Sequence, residues 1–550
     1  FGNLKFELAS VPYFSAYILA YIVVGTAVNI ILNSLDALRK REVLAKVPGP
    51  TPTLFGHARE LVANAHRRHD YFYDLFREYC GVSGNQTFKM NGPLIFKGMG
   101  GARNDVWTAE PRVVQYVLKD NADVFLKSSV SGETTAPLFR DFLGLGIFLI
   151  DHGPNAKIPN DGGSSWYNQR KTAAKIFTKN AFRHFYQEIF LEQGALLMKI
   201  FDGLEGQEFD IQKYMFSYTM DSFGKIAFGY AMGNLTGEDT TFGAAFDKAH
   251  ELALKHFFTT MKVRMLTQPL PPPFRTILTK INDICNPYWR AFWEQCRILD
   301  RFSYRIIQQR RAAQKPDEEA SDLLGLMLGE TDTEGQPYSD KMLRDIVLNF
   351  IIAGRDTTAC TLSWLWYELG KPANRGVQER LQHEVDTALG KGLPSYDALG
   401  KMEYLRAVVY EVLRLHPIVP LTGLHCHADV VLPDGTPCPS NSRLFYSTYS
   451  MGRSEKIYGA DALEFKPERW IPFKMPSQFE FPVFKGGPRV CLGMNMAIFE
   501  ASLLTSLVLQ KFNIALSDGH DYTYGLKVTM SVLDRTEGKE QVLVRLTHRK

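Results

Sequence analysis

The chain has 550 residues, 45% of them hydrophobic, and a formal net charge of +4; that is enough apolar material for a large core and too small a charge excess for a nucleic-acid surface. No long Lys/Arg block interleaved with aromatics is present, which excludes nucleic acid as a partner. The seven cysteines, Cys80, Cys285, Cys296, Cys360, Cys426, Cys438 and Cys491, form an odd, scattered set without a C-x-x-C pair, which argues against a secreted disulfide framework and for a reducing, cytosol-facing domain.

Near the amino end, Tyr13 to Leu32 is a run of 20 residues without a charge, close to the ~20 needed to span hydrocarbon. Arg39, Lys40, Arg41 and Lys46 follow it, whereas only Lys5 and Glu7 precede it, so the positive-inside rule puts the carboxy side in the cytosol. A buried core helix and a cleaved signal peptide are the alternatives; the second would carry basic residues ahead of the apolar run and small residues at a cleavage site, and neither is evident. The chain accordingly divides into an anchor over 1–32, a basic and Pro-rich hinge over 33–52 that includes VPGPTP, and one catalytic domain over 53–550.

Farther along, Trp166 and Arg170 in WYNQRK lie i,i+4 on a short predicted helix after a Gly-rich loop. Indole N–H and guanidinium both suit a carboxylate, and an exposed aromatic–cation pair is the plain alternative. The helix-like run DIVLNFIIAGRDTTACTLSWLWYEL breaks its apolar pattern at Ala353 to Thr358. A Gly, an Asp and two Thr sit badly in a buried helix, and such a local violation marks either function or a kink with a satisfied Thr. In EYLRAVVYEVLRLHP, Glu411 and Arg414 share a helix face at i,i+3, with Pro417 ending the helix; alone, such a pair is commonly solvent-exposed. His425, Cys426, His427 and Cys438 offer zinc-type ligands, but strand alternation puts Cys426 opposite both histidines, which disfavours zinc.

The stretch FKGGPRVCLG, Phe484 to Gly493, presents Cys491 in a turn leading into the apolar helical run MNMAIFEASLLTSLVL. A helix start supplies unpaired N–H groups and a positive dipole end, which stabilise a thiolate. Gly486, Gly487 and Gly493 permit close backbone approach, Phe484 can shield the sulfur, and Arg489 can reach an acid. A buried free cysteine is the alternative; the fixed positions around it favour a haem-iron ligand.

With every fixed position of F-x-x-G-x-R-x-C-x-G matched, this stretch resembles the haem-binding signature of the cytochrome P-450 superfamily. The resemblance implies a mainly α (α+β) cytochrome P-450 fold with a small β-rich region, preceded by a single transmembrane helix. It implies haem b with Cys491 as the metal ligand and Trp166, Arg170 and Arg489 toward its propionates, and a buried network of Glu411, Arg414 and Arg469. Many members have a propionate-binding Arg near His425; none stands here, so His425 is the expected substitute. Beside the haem, Gly354 leaves room for dioxygen, the Thr357 hydroxyl bonds the carbonyl of Ala353 and opens a groove, and Asp356 feeds protons through Thr357 or water.

From about Val47 to the carboxy end, and most strongly between Ser339 and Gly493, the chain resembles the branch that contains plant fatty-acid ω-hydroxylases and yeast alkane and fatty-acid hydroxylases. That resemblance implies ω-hydroxylation of a medium- or long-chain fatty acid, electrons from NADPH through a flavoprotein reductase, and a single-pass enzyme of the endoplasmic reticulum membrane whose lipophilic substrate comes from the bilayer. Phe139, Phe142, Leu143 and Phe148, Ile418 to Thr422, and Val528 to Val532 would stand over the haem. A sterol or terpenoid hydroxylase fits an apolar pocket too; a reductase-independent isomerase or dehydratase of fatty hydroperoxides shares the fold but usually lacks the acid–alcohol pair. Two segments depart from the family. LIDHGPNAKIP, Leu149 to Pro159, separates GIF from NDGGSSW and is expected to be a surface loop beside the substrate ceiling. Asp202 to Lys280, with its PLPPPF turn, diverges where the family has a mobile lid and membrane-dipping access channel.

Overall fold

A computed structural model describes residues 11–51, 57–91, 104–128, 142–151, 166–230, 232–238, 240–267, 270–313, 322–332 and 335–549. Helix α1, Val11–Val43, is continuous because its one proline, Pro12, sits in the first turn where it is tolerated, the next is Pro48, and Arg39, Lys40 and Arg41 are good helix formers. The change of composition at residue 33 is therefore not a structural break, and the first part of the expected hinge prolongs the anchor helix. From Tyr17 to Val43 the helix is long enough to cross a membrane and contains an 18-residue stretch of mean hydropathy 2.0. Beyond it the chain is pinned rather than free. Leu44 and Val47 are buried, the Lys89 ammonium donates to the carbonyls of Leu44 and Ala45, and the Lys89 N–H meets the Pro48 carbonyl at 2.8 Å.

Lys89 belongs to a five-stranded sheet made of β1 (Thr87–Asn91), β2 (Asn104–Thr108), β3 (Phe125–Leu126), β4 (Leu421–Cys426) and β5 (Arg443–Ser447), in the order β1–β2–β5–β4–β3. Only β2 and β5 run parallel; their register sets Asp105 opposite Arg443, and the two close a bidentate ion pair at 2.8 and 2.7 Å. In the same sheet, His425 on β4 is flanked by Leu126 and Arg443. A three-stranded sheet of Glu208–Asp210, Phe512–Leu516 and Leu543–His548 ties the carboxy end to the helices.

The remaining mass is helical: α2 (Trp166–Ala174), α3 (Gln187–Gly203), α4 (Ile211–Phe228), α5 (Thr241–Thr267), α6 (Pro272–Cys285), α7 (Pro287–Ala313), α8 (Asp340–Ile351), α9 (Thr357–Gly370), α10 (Glu403–Leu415) and α11 (Met494–Lys511). Helices α8 and α9 form one rod, joined by a π-helical turn over Ile352–Asp356. The rod starts at Ser339, whose hydroxyl caps the Met342 N–H, and from Leu343 on it is buried almost throughout, polar residues such as Asp345 and Asn349 included. Helices α4, α10 and α11 pack around it.

Of the PLPPPF turn, Pro269 lies outside the described residues, while Pro271 and Pro272 start α6. Ile277, Leu278, Ile281 and Ile284 of α6 are exposed. Its first turn lies against the candidate membrane span: a Cβ at Gly25 would come within 2.9 Å of Pro271 Cγ.

Candidate active site

The Cys491 loop is closed by a hydrogen bond from the Cys491 N–H to the Phe484 carbonyl at 2.8 Å. Phe484 thus contributes its backbone to the loop, while its ring is partly buried against the core. Gly487, at φ +60°, packs where any Cβ would overlap the Leu118 carbonyl. Gly493 is the N-cap of α11, and the N–H groups of Gly493 and Met494 serve the Cys491 sulfur. Burial pushes the thiol upward; those N–H groups and the charges of Arg170 and Lys485 oppose it. Although largely surrounded by protein, Cys491 keeps accessible surface.

Above the loop, Trp166 of α2 is buried between two guanidiniums, with Arg170 5.4 Å and Arg489 4.9 Å from the ring. Arg170 donates to the Val490 carbonyl at 2.6 Å, holding the residue before the cysteine. Arg489 donates to the carbonyls of Ile150 and Ile147 at 2.5 and 3.5 Å, and burial with Arg170 nearby lowers it to about 10. His425 is fully buried, and neither ring nitrogen has a hydrogen-bond partner among the described residues. Burial and Arg443 push it down to about 3, so the ring is neutral with one donor to offer.

The expected Thr357 bond is present: its hydroxyl donates to the Ala353 carbonyl at 2.6 Å, across the π-helical turn. Gly354 packs against Phe223 of α4, whose ring a Cβ at Gly354 would overlap. Asp356 also has surroundings that its motif did not disclose. It is buried with one oxygen 2.9 Å from Arg355 Nη1 and the other 3.4 Å from His250 Nδ1. Burial alone would raise its carboxyl, but Arg355 and His250 outweigh that and hold it below the usual range.

Several separate segments converge here. Asn349 of α8 donates to the Leu143 carbonyl at 2.8 Å, and the Leu145 N–H meets Asp345 at 3.0 Å. Gly144 and Gly146 approach so closely that a Cβ would overlap Asp345 and Asn349 respectively. Phe142 lies 5.1 Å from Phe246 and 6.3 Å from His250 of α5. The Val528 N–H donates to His250 Nε2 at 3.4 Å, and the Met530 N–H to the Ile418 carbonyl at 2.9 Å. Sequence reasoning missed Asp345 and Asn349, although polar residues at i,i+4 in an apolar run are the same signal that marked Asp356 and Thr357. Phe139 and residues 152–165 lie outside the described residues. Of the Leu149 to Pro159 segment only residues 149–151 are described; Ile150 and Asp151 are buried, and Asp151 accepts from the Lys127 N–H at 2.7 Å and from Ser128.

Glu411, Arg414 and Arg469 form the expected network. The Glu411 carboxylate accepts two bonds from Arg414 at 2.7 Å and one from Arg469 at 2.9 Å, and its remaining capacity goes to Trp470 at 3.0 Å and the Lys466 N–H at 2.8 Å. Arg414 in turn holds the carbonyls of Gly452, Ala462 and Glu464, which fixes the segment before the Cys491 loop. Two of the candidate zinc ligands are engaged with backbone carbonyls. Cys426 Sγ donates to the Ala428 carbonyl at 3.0 Å, and the His427 ring meets the Ser128 carbonyl at 2.7 Å.

Comparison with known proteins agrees with this geometry. Residues 146–533 match the family model described as Cytochrome P450. Among similar proteins, Cytochrome P450 CYP94D108 of Paris polyphylla is 31% identical over 86% of this chain and 89% of its own length. Cytochrome P450 86B1 of Arabidopsis thaliana is 31% identical over 81% of this chain and 78% of its own. Cytochrome P450 monooxygenase cyp1 of Mycosarcoma maydis is 33% identical over 74% and 62%.

Proposed function

Because the chain belongs to the cytochrome P450 family, a group of haem b monooxygenases served by a reductase, we propose that it hydroxylates medium- or long-chain fatty acids at or near the terminal carbon. The observation that carries the haem chemistry is the set of groups around the Cys491 sulfur, helix-start N–H donors and two guanidiniums on Trp166, and beside it stands a neutral His425 on β4 with both nitrogens unpartnered among the described residues. This donor set fits a haem, with the sulfur on iron and Arg170, Arg489, Trp166 and His425 available to the propionates. Bound there, haem supplies dioxygen activation, which thiolate ligation favours by pushing electron density to the iron.

The chain's own residues do the rest. Thr357, held by Ala353, presents a hydroxyl beside the opened helix turn; Asp356, one residue before it, supplies protons to that hydroxyl or to water. Phe142, Leu143 and Ile418 provide apolar surface over the site that admits a hydrocarbon chain and excludes water. The balanced reaction consumes one dioxygen, two electrons and two protons, placing one oxygen atom in the product alcohol and the other in water. NADPH supplies the electrons through a flavoprotein reductase. Helix α1 anchors the protein in the endoplasmic reticulum membrane with the catalytic domain in the cytosol, and the exposed apolar face of α6 beside α1 lets substrate arrive from lipid.

Two absorption measurements test this reading. Fatty acids added to the ferric protein should shift its haem absorption at concentrations where sterols do not, and the reduced carbon monoxide band typical of thiolate ligation should vanish in Cys491→Ala. Persistence of that band would remove Cys491 from its role; a response to sterols alone would remove fatty acids.

A further inference from the structure

Asp356 is surrounded by groups that come from, or are held by, helix α5. Arg355, itself buried, donates to Asp356 at 2.9 Å and grips Asp247 of α5 with both terminal nitrogens, at 2.6 and 2.9 Å. Its guanidinium lies over Phe216 and Phe246, 4.6 and 5.6 Å from the ring centres, so it is confined in a dry environment where charge must be balanced. The second oxygen of Asp356 faces His250 of α5 at 3.4 Å. Because His250 Nε2 accepts the Val528 N–H, the neutral ring carries its proton on Nδ1, toward Asp356. Lys527, paired with Glu540 at 2.5 Å, is a further charged neighbour of both Asp247 and Asp356 among the described residues.

This arrangement bears on proton supply. One arginine shared by two carboxylates binds each less tightly than an exclusive partner would, and Asp247, with its side chain 55% exposed, is the one that reaches solvent. If α5 lifts, Asp247 and His250 leave together, and Arg355 is left to close on Asp356 alone. An exclusive buried ion pair holds a carboxylate ionised and immobile, which is the wrong state for passing protons. Helix α5 is also the roof. Phe246 and His250 face Phe142, so α5 must move when a large apolar molecule enters.

We propose that Asp247 and His250 are positioning residues for Asp356, tying proton supply to the seating of α5 over bound substrate. The inference rests on the proposed role of Asp356 in proton supply.

The test uses the full-length haem-loaded protein with reductase and NADPH, comparing Asp247→Asn, His250→Phe, His250→Gln and Asp356→Asn by product formed per NADPH and by the solvent deuterium isotope effect. Asp247→Asn and His250→Phe are expected to lower coupling about tenfold, less than the ~10²–10⁴ attached to a proton donor itself, and to raise the isotope effect. His250→Gln, which keeps a donor toward Asp356, should restore coupling, and the substrate-induced absorption shift should saturate at native concentrations in all four. Native coupling and isotope effect in Asp247→Asn and His250→Phe, with Asp356→Asn uncoupled, overturn the tether alone. Native behaviour in Asp356→Asn overturns both the tether and the proton role it rests on. Should His250→Phe fail to fold, Asp247→Asn, altered at a half-exposed side chain, decides the matter alone.

Discussion

The hydroxyl of Thr357 donates to the carbonyl of Ala353 at 2.6 Å, bridging the ends of a π-helical turn in the most buried rod of the protein. A wide turn leaves backbone groups without their regular i→i−4 partners, and the threonine satisfies one of them. Thr357→Ala should therefore fold and load haem yet, if the proposed relay holds, lose the hydroxyl through which Asp356 would pass protons, with product per NADPH falling on the order of 10²-fold and Thr357→Ser retaining most of it. Full coupling in Thr357→Ala would contradict the assignment.

Gly354 packs directly against Phe223. A methyl group there overlaps the Phe223 ring, and overpacking of this kind costs about 1–3 kcal/mol. Gly354→Ala should lower the thermal unfolding midpoint, and Phe223→Leu in the same chain should restore part of it. Unchanged unfolding accompanied by lost oxygen chemistry would contradict the packing role.

Glu411 is fully buried and balances Arg414, which is equally buried. Glu411→Ala leaves that guanidinium uncompensated, at a cost of about 3–5 kcal/mol, and frees the segment that carries Arg469 and Trp470. Denaturant titration of the holoprotein should show the loss, with Glu411→Gln recovering only a fraction of it. A change under 1 kcal/mol would reduce the network to a surface-type pair, worth roughly that much.

His416 gives the protein an acid-sensitive point. It stacks on Trp364 at 4.0 Å and bonds Glu368 at 2.8 Å. Burial lowers it to about 4, and the bonds to Glu368 from His416 and Lys371 outweigh burial to hold that carboxyl at about 2. Both groups are depressed in the folded state, so the unfolded chain binds the extra protons and stability is lost as pH falls. The His416 share is lost between the ordinary value of 6.5 and about 4, the Glu368 share between 4.5 and about 2. Unfolding midpoints followed by tryptophan fluorescence should decline through the upper window and decline less in His416→Gln. A flat profile from pH 6.5 to 4 would contradict the assignment.

The residues legible in the sequence are those whose chemistry is local. The Cys491 loop, the Thr357–Ala353 bond and the i,i+3 pair of Glu411 and Arg414 each lie within a few positions of one another, so spacing alone states the geometry. Arg469 is distant in sequence and was reached only through the family resemblance. What was not legible depends on packing between remote segments. Nothing near Gly354 announces Phe223, and nothing near Asp356 announces Asp247 and His250, which lie more than 100 residues earlier in the chain. Composition does not mark the end of the first helix either: Arg39 to Arg41 change the charge without changing helix propensity, so α1 runs on to Val43. Asp151 looked like part of a polar loop because its partners, Lys127 and Ser128, come from beyond the preceding strand.

The most direct test of the account is product analysis by mass spectrometry after membranes containing this protein, reductase and NADPH are incubated with a mixture of fatty acids, alkanes and sterols. The account predicts terminally hydroxylated fatty acids, formed only with NADPH and absent in Cys491→Ala. Hydroxylated sterol with fatty acids untouched, or conversion of fatty hydroperoxides without NADPH, would contradict it.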